Sequence, residues 1–336
     1  MAMKLETVLR RFSFAVAALG AAALTSVGGV ESAKAGGTYP ERPVQIIVAY
    51  SAGGGTDRQA RLLAAPLEKV LGQPVTVQNL PGGGGQVAVT ALLRETADGH
   101  TIVAGNQPDI NMSVAINKAP YKLEDLQVLV VDLFDPRILL VQKDSPIRTF
   151  DAFVEKAKAN PGELTVSVSQ GGAQEQFAKW LFSSLGLDVR LVGYKGGSRA
   201  ANAMVGGQVD ATVGDDSARL NIREQAHALL LGAPKQSPRW PEAPTLVDAL
   251  KPYGVTPPTP DFLGRYGVYV VPAAFKEKFP ERYEMLQKAM IEARLDPDYQ
   301  ESITKRGIGD LSIGKPGEAY AEAFAKDTRA VEAMVK

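Results

Sequence analysis

Apolar positions along this chain alternate between two rhythms. Residues 44–49 (Val-Gln-Ile-Ile-Val-Ala), 75–78 and 101–104 have the length and β-branched content of buried strands. Between them the spacing becomes helical. Ala60, Leu63, Ala64, Leu67 and Leu71 fall on one face of a helix over about 57–71, which Gly72 and Pro74 end. Another helix follows the Gly-rich stretch 79–85 and runs to about residue 96. A helix over 151–159 closes at Asn160-Pro161-Gly162. The strand–loop–helix order then resumes, with a strand at 164–168, a helix over about 173–185, and strands at 189–192 and 211–213. Segments 138–142 and 226–232 read as strands that cross between two halves. A Pro-rich loop (234–260), a late strand (267–271) and amphipathic helices over about 281–295 and 317–335 complete the chain. This alternation predicts an α/β fold with mostly parallel sheets.

The N-terminus breaks the pattern. Lys4, Arg10 and Arg11 precede a short Ala-rich apolar run, and Ala33-Lys34-Ala35 supplies an A-x-A site. Residues 1–35 therefore read as a cleaved secretory signal, by a Sec or twin-arginine route, with an uncleaved anchor as the plain alternative. Removing them leaves 301 residues, enough for two domains. From 37 basic and 37 acidic residues, the cut removes Lys4, Arg10, Arg11, Lys34, Glu6 and Glu31, leaving 33 and 35. Near-neutrality argues against nucleic acid or anionic lipid as the main partner. The absence of cysteine excludes disulfides, thiol nucleophiles and Cys-ligated zinc. The two histidines, His100 in a turn before a strand and His227 at the start of an apolar run, read as structural. No metal or cofactor is expected.

Four loops carry the candidate chemistry. Ala52-Gly53-Gly54-Gly55-Thr56-Asp57 lets backbone N–H groups approach a ligand at a helix start, where partial positive charge favours a carboxylate or phosphate. Thr56 or Asp57 could cap that helix. A tight turn without a ligand is the plain alternative. Pro81-Gly82-Gly83-Gly84-Gly85 imitates a dinucleotide fingerprint but follows the second strand, so a packing turn is preferred. Ser169-Gln170-Gly171-Gly172-Ala173 repeats the first loop's logic in the second half. Two helix N-termini facing across a cleft would clamp an anion. Glu175 behind it can simply favour its helix dipole. Gly214-Asp215-Asp216 could bind an amine or cation, or cap the next helix.

Taken together, these residues resemble the Bug/TctC family, the substrate-binding components of tripartite tricarboxylate transporters. The similarity runs over about 39–336. It is carried by Tyr39-Pro40-x-Arg42-Pro43, Gly53-Gly54-Gly55-Thr56-Asp57, Leu71-Gly72-Gln73-Pro74-Val75, Asn79-x-Pro81-Gly82-x-Gly84-Gly85 and Asp98-Gly99-x-Thr101. Further along it rests on Ala159-Asn160-Pro161-Gly162, Tyr194-Lys195-Gly196, Gly206-Gly207-Gln208-Val209-Asp210 and Ser237-Pro238-x-x-Pro241-x-x-Pro244-Thr245.

The resemblance implies a two-lobed type II periplasmic-binding-protein fold with two crossing strands. Lobe 1 is expected over 36–141 and 228–336 and lobe 2 over 142–227. It implies a periplasmic, monomeric, non-catalytic receptor that captures a small organic acid for membrane transporter subunits. The expected ligand residues are Ala52, Gly53, Gly54, Gly55, Thr56, Asp57, Ser169, Gln170, Gly171, Gly172 and Ala173, with Asp215 near. Two departures matter. Where the family often has Gly-Ser-x-x-His, this chain has Gly172-Ala173-Gln174-Glu175-Gln176, and an Asp-Asn-type stretch has become Gly214-Asp215-Asp216. The site is therefore expected to be richer in negative charge, and its ligand to carry one acidic end with an amine, hydroxyl or aromatic group at the other. Two alternatives remain: an exported enzyme using Asp215, Asp216 and Glu175 as acid and base, or a ligand-sensing subunit for a membrane receptor.

Overall fold

The structure, a computed structural model, describes residues 39–335; the expected signal segment lies outside them. The first lobe opens with β1 (Val44–Val48), α1 (Gly55–Leu71), β2 (Val75–Asn79), α2 (Gln86–Leu92), β3 (Thr101–Gln107), α3 (Asp109–Ala115) and β4 (Leu126–Asp135). The chain then enters the second lobe through Pro136. There it forms β5 (Arg137–Gln142), α4 (Phe150–Ala159), β6 (Thr165–Ser169), α5 (Ala173–Ser184), β7 (Arg190–Tyr194), α6 (Gly197–Val205), β8 (Ala211–Asp215) and β9 (Ala226–Gly232). A long connection containing α7 (Leu246–Leu250) leads back. β10 (Arg265–Pro272), α8 (Ala273–Lys278), α9 (Pro280–Ala293), α10 (Pro297–Lys305), β11 (Ser312–Pro316) and α11 (Ala321–Val335) follow.

Two sheets result, ordered β11-β4-β10-β3-β1-β2 and β7-β6-β8-β5-β9. The two-lobed α/β expectation is met, with one difference. The sheets are mixed, because β10 runs antiparallel to β3 and β4, and β5 runs antiparallel to β8 and β9. Chains that pass between lobes enter each sheet against its βαβ strands. Segment 36–141 was to belong to the first lobe, yet β5 is hydrogen-bonded to β8 and β9, so the sheets part at Pro136. Likewise β9, read as the return crossing, lies wholly in the second sheet, and the crossing itself is in the connection before β10.

Strand β4 is absent from the periodicity reading. Its buried run Leu129, Val130 and Val131 is broken by Asp132, which is itself buried and ion-paired with Arg294. The first core packs β1, β3 and β10 side chains (Ile46, Val48, Ile102, Tyr269) against Leu63 and Leu67 of α1 and Leu286 and Met290 of α9. The predicted apolar face of α1 is thus the face that docks. Burying a Leu of this kind stabilises by about 1.5–3 kcal/mol. The second lobe packs Phe153 of α4 and Phe177 and Leu181 of α5 on Val166, Val168 and Val213. These cores fix the ends of the parallel strands, and the loops at those ends make the site.

Candidate functional site

A cavity of about 540 Å³ lies where loops from both lobes meet. Its walls come from the loops that follow β1, β2 and β3 on one side and β6, β7 and β8 on the other. Ligands of open α/β sheets bind outside the carboxyl ends of strands, and this cavity has that position in both sheets at once.

The first wall is the loop leading into α1. Ala52, Gly53, Gly54, Gly55 and Thr56 line the cavity. Gly53 has φ of 76°, a left-handed turn that a glycine adopts without strain. Asp57 does not line the cavity. Its carboxylate turns back to accept the Gly53 N–H at 2.8 Å and is also held by Arg61 Nε at 2.9 Å and Asn79 Nδ2 at 2.9 Å. Burial pushes the Asp57 pKa up, but these hydrogen bonds and the Arg61 charge outweigh it and hold the carboxyl below its ordinary value. Asp57 therefore shapes the loop, and no side chain caps the start of α1. Thr56 Oγ1 donates to Asn106 Oδ1 at 3.2 Å, which joins this loop to the end of β3.

The second wall is the loop leading into α5. Ser169, Gly172 and Ala173 line the cavity; Gln170 and Gly171 do not. Gln170 is exposed and lies against Gly193. The Gly171 N–H is donated to Glu175 Oε2 at 2.7 Å, and Glu175 also pairs with Lys179. Nor is the α5 N-terminus vacant, as the sequence reading required. Asp109 reaches across from the first lobe and accepts the Ala173 N–H at 2.9 Å. Burial raises the Asp109 pKa, and Arg137 and the Ala173 N–H oppose that shift.

Below these loops lies a cluster of buried charges at the two crossings. Arg137, next to Pro136, binds Asp215 through Nη1 and donates from Nε to the Leu263 carbonyl at 2.6 Å. Arg265, at the start of β10, pairs with Asp135 at 2.5 Å and approaches Asp215 at 3.6 Å. Gln174 Nε2 completes the shell of Asp215 at 3.1 Å. Burial pushes Asp215 up, yet Arg137, Arg265 and Arg219 together bring its pKa below the ordinary value. Asp216 points elsewhere: Arg239 grips both of its oxygens, at 2.7 and 2.8 Å. Asp216 and Glu175 both lie outside the cavity lining, so the acid–base trio Asp215, Asp216 and Glu175 does not converge there.

The expected excess of negative charge is reversed. Among the described residues the charged lining is Asp109, Asp215, Arg137, Lys195, Arg199 and Arg219, four cations against two carboxylates. The aspartates that suggested negative charge are neutralised by arginines distant in sequence. Sequence reasoning missed Tyr50, Asn106, Asp109, Arg137, Lys195, Arg199 and Arg219. Only the Lys195-Gly196-Gly197-Ser198 loop offered a signal, a further glycine turn between strand and helix. Both histidines lie apart from the cavity. His100 packs edge-on to Tyr39, and His227 Nε2 lies 2.8 Å from the Arg148 carbonyl.

A family model described as the tripartite tricarboxylate transporter family receptor, TctC, matches residues 59–330. A Cupriavidus necator protein, described as UPF0065 protein in gbd 5'region, is 31% identical over 333 residues, 96% of this chain and 93% of the relative. Among solved structures, MatC of Rhodopseudomonas palustris with bound malate is similar at a TM-score of 0.73 and 24% identity, covering 89% of this chain and 100% of MatC. R. palustris Rpa4515 with adipate is similar at a TM-score of 0.71 and 21% identity, covering 88% and 98%. These two share the fold. The family match and the full-length relative carry the assignment: this chain belongs to the TctC family, the solute-binding receptors of tripartite tricarboxylate transporters.

Proposed function

We propose that this chain is exported to the periplasm, where as a monomer it captures a small organic acid between its lobes and presents it to membrane subunits of a tripartite tricarboxylate-type transporter. The observation that carries this reading is the cavity itself, glycine-walled on the first lobe and lined by four cations and two carboxylates. Such a lining favours an anion of small-metabolite size. The ligands named for MatC and Rpa4515, malate and adipate, are carboxylates of that size and support the class. The first-lobe contacts would come from Ala52 to Thr56 and the second-lobe contacts from Ser169, Gly172, Ala173 and the arginines behind them. The two bodies that close on the ligand are the two sheets with their helices, divided at Pro136 and in the connection before β10. Asp109 supports the narrower idea of an acid that also carries an amine or hydroxyl, because it is a carboxylate on the cavity wall.

The test is a thermal-shift and calorimetry series with malate, adipate, glutamate and benzoate. A cleft ligand at a hundredfold excess over its Kd stabilises the protein by about 2.7 kcal/mol. Failure of every acid to shift the melting point overturns the reading. Recovery of a bound acid chemically unchanged after incubation separates a receptor from an exported enzyme.

A further inference from the structure

Arg219 has the burial of a core residue without a core residue's partners. It lies just after β8, is 3% exposed, and lines the cavity. Among the described residues its Nε and Nη2, both buried, have no hydrogen-bond partner. Asp215 and Asp135 act on it through space, while Asp215 is itself engaged by Arg137 and Gln174. Burial and the neighbouring Arg137 charge both pull its pKa below the ordinary guanidinium value. A guanidinium stays charged under such conditions, and an unpaired buried charge is strongly disfavoured.

The chain nevertheless makes room for it. A Cβ on Gly214 would overlap Arg219 Nε, and one on Gly197 would come within 2.9 Å of Nη2. Gly214, read from sequence as opening either a carboxylate pair for an amine or cation or a capping turn, is the platform on which this side chain lies. Arg137 lines the same cavity and has a buried, unpartnered Nη2 of its own. Two cations thus line one cavity while each keeps buried donors unused, whereas the Ala173 N–H at the start of α5 is already given to Asp109.

We infer that Arg219, assisted by Arg137, is the second-lobe receptor for the ligand's carboxylate, in place of the α5 N-terminus. This rests on the proposed function, since it names the residue that holds the acid. The planar guanidinium suits a delocalised oxyanion such as a carboxylate, and a neutral amide would leave the charge unpaired.

The test is calorimetry on the purified protein with malate, adipate, glutamate and benzoate, comparing wild type with Arg219→Gln and Arg219→Lys. The acid bound by wild type should lose at least about 30-fold in affinity in Arg219→Gln, as expected for removing one partner of a buried charge pair. Arg219→Lys, which keeps the charge but not the planar donor set, should fall between the two. Wild-type affinity in Arg219→Gln overturns the inference and leaves the carboxylate reading intact. Binding of none of the four acids by wild type overturns the carboxylate reading beneath it. If Arg219→Gln loses its cooperative melt, Arg219→Lys decides: unchanged affinity there also overturns the inference.

Discussion

Asp109 and Ala173 tie the two lobes together: a carboxylate at the start of α3 accepts, at 2.9 Å, the N–H of the first residue of α5. A side chain from one lobe thereby caps a helix of the other. In Asp109→Ala this acceptor is gone. A capping side chain contributes about 0.5–2 kcal/mol, so the balance between joined and parted lobes should shift by about 2- to 30-fold toward parted. Small-angle scattering of ligand-free protein should give a larger radius of gyration, whereas Asp109→Asn, whose amide oxygen can still accept, should keep the wild-type value. An unchanged radius in the alanine variant would remove Asp109 as a link.

Asp57 should matter although it lies outside the cavity, because it holds Gly53 in the turn. Losing three hydrogen bonds from a buried carboxylate predicts that Asp57→Ala is less stable by about 1–3 kcal/mol at pH 7, with weaker ligand binding. The folded pKa is depressed, so this contribution is present above the unfolded value of about 4 and lost as pH falls through the folded one. Urea denaturation at pH 7 and pH 3.5 should show a deficit that shrinks at the lower pH.

Asp327 predicts the opposite pH dependence. It is buried on α11 near Asp261, Thr259 and the Leu263 N–H, with Arg137 opposing. Burial first, and then Asp261, push its pKa up to about 7. Its favourable contribution is therefore full below the unfolded value of about 4 and is lost as pH rises through about 7. Asp327→Asn should match wild type near pH 4 and exceed it in stability at pH 8. Equal stabilities at pH 8 would contradict this placement.

Arg239 and Asp216 form a buried bidentate pair, and Arg239 also reaches Asp310 at 2.5 Å. Breaking one partner of such a pair costs about 3–5 kcal/mol, since the other charge is left buried. Asp216→Asn should lower the unfolding free energy from chemical denaturation by that amount with ligand affinity preserved, because Asp216 is not on the cavity wall. A loss of affinity in folded protein would place Asp216 in the binding site after all.

The two-lobed layout was legible because strand and helix periods are local. The face Ala60, Leu63, Ala64, Leu67 needs only a window of a few turns to be read, and it is the face that packs on β1. The first glycine loop was legible for the same reason, since glycines between a strand and a helix start already imply close backbone approach. Strand β4 was not legible, because Asp132 interrupts its apolar run and the partner that makes a buried aspartate tolerable, Arg294, lies far along the chain.

The site's charge was decided by tertiary structure alone. Sequence places Asp215 and Asp216 side by side, and on that spacing they look alike. Folding sends Asp215 to Arg137 and Asp216 to Arg239, brings Asp109 across to α5, and leaves Arg219 on the cavity wall with buried donors unused. By itself the sequence determined the alternation of elements, the family and the glycine wall of the cleft, all written in short-range patterns. Which charges cancel and which remain to meet a ligand depends on partners distant in the chain, and only packing of the two lobes around the crossings fixes those distances.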